Sequence, residues 1–223
     1  MMPNFRLARE RSVNNLQRLY AIVVSLAIAH SLIQIIEIIS NKGLTNFVGY
    51  YSELFMFFSF IVTLIPFFHG ANRYLDATYV TGERTAGHYA LLIDFIALFI
   101  EGLALFVLGM LITNLNVFYS FLVVLLVFDI AWVGSTTLTA KNESDKVPKF
   151  KKWASINAIA VAAILVSVWS NLWPGQLIKS TILVLIIIAR TIYDYVSVWG
   201  FYYPLINEQE QIPAPRPAPV PKH

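Results

Sequence analysis

The sequence predicts an all-α, polytopic membrane protein of six transmembrane helices with its N and C termini in the cytoplasm. Three observations carry that reading. The 223 residues are 57% hydrophobic and 13% charged, about half the charged share of an ordinary soluble domain. Six apolar runs each approach the ~20 residues that cross a hydrocarbon core of ~30 Å. The basic residues collect in alternate connecting segments, as topology rather than nucleic-acid binding requires.

The first run, 19–39, follows a basic segment, 1–18, that carries Arg6, Arg9, Arg11 and Arg18. A cleavable signal has an apolar region of about 7 to 15 residues and a small-residue cleavage pattern. This run is longer and lacks the pattern, so it is expected to stay as the first span. The second run, 50–68, holds Pro66, which predicts a kink or an early stop. The aromatic and polar stretch 67–76 behind it reads as an interfacial helical turn. The third and fourth runs, 89–112 and 117–137, are joined by residues 113–116 alone and are expected to form a tight antiparallel hairpin. In the fifth run, 153–173, Ala154, Ala158 and Ala162 recur at spacing four, a stripe that lets another helix approach.

The sixth run, 177–203, is apolar but for Arg190 near its middle and Asp194 one turn on. Its end is crowded with Trp199, Phe201, Tyr202 and Tyr203, the composition of an interfacial aromatic belt. The tail, 204–223, alternates proline with small residues, prefers an extended polyproline helix and serves as a linker or docking strip. The chain thus divides into a basic cytoplasmic segment (1–18), a six-helix transmembrane domain (19–203) and a proline-rich cytoplasmic tail (204–223).

Orientation follows from charge. Thirteen basic residues fall in the N-terminal segment, the 70–87 and 138–152 loops and the tail, against Lys42 and Lys179 on the opposite side. The positive-inside rule then places both termini in the cytoplasm; the expected localisation is a bacterial inner (cell) membrane.

The polar residues within the spans carry the functional expectation. A guanidinium at mid-membrane costs roughly 2.5 to 3.5 kcal/mol on insertion scales, so Arg190 must face protein or water. Counting rise along each span places Asp94, Asp129 and Asp194 in the cytoplasmic third, and His30, Glu101 and Arg190 about halfway across. Asp94 and Glu101, seven apart, share a helix face, as do Arg190 and Asp194. The expectation is a polar interior lined by the third, fourth and sixth helices. There Arg190 is held by Glu101 or Asp194, and the remaining acids form a cation or proton pathway. The bland alternative pairs Arg190 with Asp194 inside one helix and leaves Asp94 and Asp129 as wet edge residues. His30 is either a relay toward Glu101 or an interhelical hydrogen bond. Glu37 and Glu53 read as solvated helix ends.

Several classes drop out. With no cysteine there is no disulfide, thiolate metal site or iron–sulfur cluster. No serine-hydrolase, metalloprotease or phosphate-loop motif is present, so no catalytic residue, metal or cofactor is assigned. His69 and His88 flank one loop at the membrane edge, without the facing pairs that haem needs. The expected function is a channel or small transporter that passes or couples to a cation or proton. The alternative is a non-catalytic membrane subunit, anchor or sensor of a larger assembly. Expected partners are membrane lipid and a homo-oligomer or larger membrane complex, with no nucleic acid.

Overall fold

Six long helices run up and down past one another in the computed structural model, which describes residues 5–81, 89–139, 150–170 and 172–203. They are α1 (Phe5–Lys42), α2 (Tyr51–Leu75), α3 (Ala90–Met110), α4 (Leu115–Thr139), α5 (Phe150–Trp169) and α6 (Gln176–Tyr202). All six are long and apolar enough to cross a membrane. His88, Arg84, most lysines of the 138–152 loop and the proline-rich tail lie outside the described residues.

Each helix buries one stripe. On α1, Val13, Leu16, Tyr20, Val24, Ala27, Ser31 and Ile35 are buried at spacings of three and four, the repeat that keeps side chains on one helix face. Its outer face shows Ile22, Leu26, Ile33 and Ile36. Across the bundle the exposed large residues are chiefly Ile, Leu, Val and Phe, far more apolar surface than a soluble monomer tolerates.

One end of the bundle, here the distal end, joins the end of α1 to the starts of α2, α4 and α6. Gly43, at φ 82, ends α1 in the left-handed conformation that suits glycine. Lys42 pairs with Glu53 at 2.8 Å. Asn114 caps α4 by accepting the Val117 N–H at 3.2 Å. Lys179 at the start of α6 donates to Asn116 Oδ1 of α4 and to the Val168 carbonyl that ends α5. The opposite, basal end gathers the end of α2, the start of α3 and the last turns of α4 and α6.

Several expectations are corrected. The first helix starts at Phe5 rather than near residue 19 and runs 38 residues, about 57 Å at the α-helical rise. Its basic segment is therefore helical, and Val13 and Leu16 there are core residues. The second helix does not stop at Pro66. It continues to Leu75 and closes in a π-helical turn, Asp76–Val80. Pro66 has no N–H for the Val62 carbonyl one turn back. Thr191 Oγ1 of α6 supplies that hydrogen bond at 3.3 Å, a repair by a neighbouring hydroxyl typical of membrane helices. The alanine stripe of α5 does not mediate packing. Ala158 and Ala162 face outward, while Trp153, Asn157, Ala160 and Ile164 turn inward.

The packing order explains where space is left. The closest partnerships are α2 with α6, α1 with α3, and α5 with both α4 and α6. Despite their four-residue connection, α3 and α4 touch little, so the expected tight hairpin splays toward the basal end. A close approach instead joins α3 to α1, where a Cβ on Gly109 would sit 3.1 Å from the Ala27 carbonyl oxygen.

Candidate functional site

The splayed helices leave a cavity of about 100 Å³ in the basal half of the bundle, with walls from α2 through α6. Glu101 of α3, Asp129 of α4, and Arg190 and Asp194 of α6 all line it. The helical period accounts for each of them. Glu101 belongs to the buried α3 stripe of Ala97, Leu98, Gly102 and Leu105, and Arg190 and Asp194 to the α6 stripe of Leu183, Ile187 and Ser197. A side chain placed on such a stripe has no choice but to face the bundle interior.

Arg190 is 2% exposed. Its Nε donates to Asn157 Oδ1 of α5 at 2.8 Å, and its guanidinium carbon stands 5.5 Å from the centre of the Phe67 ring of α2. Asn157 is held in turn by its own Nδ2, which donates to the Trp153 carbonyl at 2.9 Å. A desolvated cation over an aromatic face is worth about 2 kcal/mol, which helps keep this charge inside. Among the described residues no carboxylate makes an ion pair with Arg190, and Nη1 has no hydrogen-bond partner. The expected pairing with Glu101 or Asp194 is therefore replaced by a neutral amide and an aromatic ring.

The carboxylates are held by phenols. Glu101 Oε1 accepts a hydrogen bond from Tyr20 of α1. Asp194 Oδ2 accepts one from Tyr202 at 3.0 Å, and Tyr202 stacks on His69 with ring centres 4.7 Å apart. The Trp153 indole N–H lies against the same carboxyl, and neither it nor Asp194 Oδ1 has another hydrogen-bond partner among the described residues. Asp129 is half-buried on the α4 wall. Three carboxylates thus share one small cavity with a single guanidinium. Among the described residues no three acidic or histidine side chains converge closely enough to hold a metal ion.

Two of the six singled-out residues lie elsewhere. Asp94 is buried at the start of α3, where Tyr79 of the π-helical turn donates to its Oδ2 at 2.6 Å. His30 bonds Gln34 one turn along its own helix at 3.0 Å and lies beside the Phe106 ring. Because Tyr20 is the α1 residue that meets Glu101, His30 stands ten residues, about 15 Å, further toward the distal end. Counting depth from residue 19 placed it too low, since α1 begins so much earlier.

Sequence reasoning passed over Asn157, Tyr20 and Tyr202. Asn157 had a usable signal, as an amide between Ile156 and Ala158 in an apolar run is costly in lipid and so faces inward. Nor are the aromatics at the end of α6 only an interfacial belt, because Phe201 and Tyr202 line the cavity.

Toward the distal end the cavity is closed. Leu105 lies one turn beyond Glu101, Leu122 two turns beyond Asp129, and Ile187 and Leu183 precede Arg190; all four are fully buried, as are Phe60, Leu108 and Phe118. Basally its walls reach Tyr74, Thr136 and Phe201, near the ends of their helices. The chain matches no family model, and no curated protein or solved structure is similar to it.

Proposed function

We propose that this chain is an integral membrane protein, in a bacterial inner membrane with cytoplasmic termini, that couples to a proton or small cation through the basal cavity. One observation carries the reading: Glu101, Asp129 and Asp194 face a shared space in which, among the described residues, Arg190 is the only fixed cation. Excess negative charge cannot stand uncompensated at low dielectric, so mobile positive charge must balance it. The carboxyls line separate walls and do not converge as a chelate, which favours protons over a dehydrated metal ion. Arg190, tied to Asn157 rather than to an acid, keeps its charge while the acids exchange theirs. Asp94 and His30 play no part in this route.

The buried plug of Leu105, Leu122, Leu183 and Ile187 makes the cavity a blind one, so transport requires a second conformation that opens it distally. The same plug favours a second reading, a non-conducting membrane subunit, anchor or sensor whose polar core serves folding specificity and whose partners are a second copy or a larger membrane complex.

Reconstitution separates the two. Protein in liposomes carrying a pH-sensitive dye is expected to move protons down an imposed gradient, and Glu101→Gln or Asp129→Asn to slow this at least tenfold. Absence of movement under pH, Na⁺ and K⁺ gradients by folded protein would discard coupling and leave the subunit reading.

A further inference from the structure

The first turn of α5 carries Lys151 and Lys152 and no acidic residue. Cations in that position oppose the helix dipole, whose positive end lies at the N terminus. Both side chains are exposed, and among the described residues neither ammonium has an ion-pair or hydrogen-bond partner. They border an open groove of about 330 Å³ between α5 and α6, completed by Ser155, Ile156, Ile159 and Tyr193. The groove shares no lining residue with the basal cavity. It lies on the outer face of the bundle, where Ile159 and Tyr193 are exposed, while Trp153, Asn157 and Asp194 on the same turns point inward.

We propose that this groove seats one phospholipid of net negative charge, its phosphate against the two ammonium groups and an acyl chain along the isoleucines. Lys152, Ile156 and Ile159 follow at spacings of four and three, one stripe about 10 Å long that runs from charge at the basal end to hydrocarbon. Tyr193 adds a phenol of the kind that settles at headgroup level. Each simpler occupant leaves part of the groove unanswered. A bare acyl chain ignores the lysines, a soluble anion leaves Ile156 and Ile159 uncovered, and a zwitterionic lipid brings a third ammonium against two. Basic pockets between membrane helices on the cytoplasmic side select anionic headgroups, and each lysine near one is worth about fivefold in affinity. The inference rests on the bundle lying in a membrane with its basal end cytoplasmic, and not on ion coupling. It gives the α5 wall of the cavity an outside support, since Asn157, which holds Arg190, and Trp153, which lies against Asp194, occupy the same two turns as the groove.

The test is native mass spectrometry of the full chain in detergent micelles, titrated with dioleoyl phosphatidylglycerol, dioleoyl phosphatidylcholine, glycerophosphoglycerol and inorganic phosphate. The first phosphatidylglycerol is expected to bind at least tenfold tighter than the first phosphatidylcholine, and neither acyl-free anion to match it. Lys151→Gln with Lys152→Gln is expected to bring the two lipids within about threefold of each other. Arg11→Gln with Arg18→Gln, which takes equal charge from exposed positions on α1, is expected to leave the preference as it was. Ile159→Trp, which keeps both lysines and fills the groove, is expected to weaken the first phosphatidylglycerol at least fivefold. The lipid comparison needs no variant, so it stands even where a variant misfolds. Equal binding of the two lipids overturns the inference, as does a preference that the arginine pair carries as much as the lysine pair. Glycerophosphoglycerol or phosphate binding as tightly as the lipid makes this a soluble-anion site and overturns it too. Lipid selectivity without ion movement in liposomes removes the coupling alone, whereas ion movement without lipid selectivity removes this inference alone.

Discussion

Asp94 and Asp194 are both buried, and each accepts a hydrogen bond from a tyrosine, Tyr79 in one case and Tyr202 in the other. Among the described residues no oxygen of Asp94 is buried without a partner, whereas Asp194 Oδ1 has only the Trp153 indole against it and lies beside a cavity that also holds Glu101, Asp129 and Arg190. The first carboxyl fastens the π-helical turn to α3. The second is held in readiness. A buried acid in a membrane helix is thus not functional by depth alone; what separates the two sites is whether their hydrogen-bonding capacity is used up.

Substitutions sharpen this contrast. The largest effect is expected from Asn157→Leu, which takes from Arg190 its only acceptor among the described residues. Stranding a buried charge costs about 3–5 kcal/mol, which denaturant unfolding in detergent would register as a shifted midpoint. Next come the two phenols. Tyr79→Phe removes a hydrogen bond to a carboxyl group, worth about 1.5–3 kcal/mol. Tyr202→Phe is expected to cost less than about 1 kcal/mol, because water in the adjoining cavity can replace the lost hydroxyl. Equal losses in the same unfolding assay would erase the distinction between the two carboxyls. Thr191→Val strips the Val62 carbonyl of the hydrogen bond that compensates for Pro66, at about 0.6 kcal/mol, the average for hydrogen bonds between membrane helices. Smallest of all, His30→Phe should stay within about 0.5 kcal/mol and leave ion movement in liposomes as it was.

Much of this architecture is legible in the sequence because length and apolarity suffice to define a helix that can cross a membrane. The ends of α3, α4 and α6 fall within a few residues of their apolar runs. Where hydropathy is silent the reading fails. The start of α1 is amphipathic rather than apolar, with Val13 and Leu16 buried among arginines, so it reads as a loop. The α2 helix survives Pro66 only through a hydroxyl on a helix more than a hundred residues later, which no local rule foresees. Within the bundle, the same-face pairs Asp94 with Glu101 and Arg190 with Asp194 follow from helical spacing and are both buried. Which helix meets which does not follow from spacing. Depth counting alone set Asp94 beside Asp129 and His30 beside Glu101, whereas the packing of α1 on α3 and of α2 on α6 brings Tyr20 to Glu101 and leaves His30 behind.

Accessibility probes the central claim, a wet cavity open basally and plugged distally, most directly. The chain has no cysteine, so single cysteines can be read without background. Thr136→Cys lies on the cavity wall, and Leu122→Cys in the plug. With protein in sealed, oriented membranes, a small charged methanethiosulfonate is expected to label Thr136→Cys only from the side bearing the N terminus, and Leu122→Cys from neither side. Labelling of Leu122→Cys as fast as Thr136→Cys, or a Thr136→Cys inert from both faces in folded protein, would contradict the account.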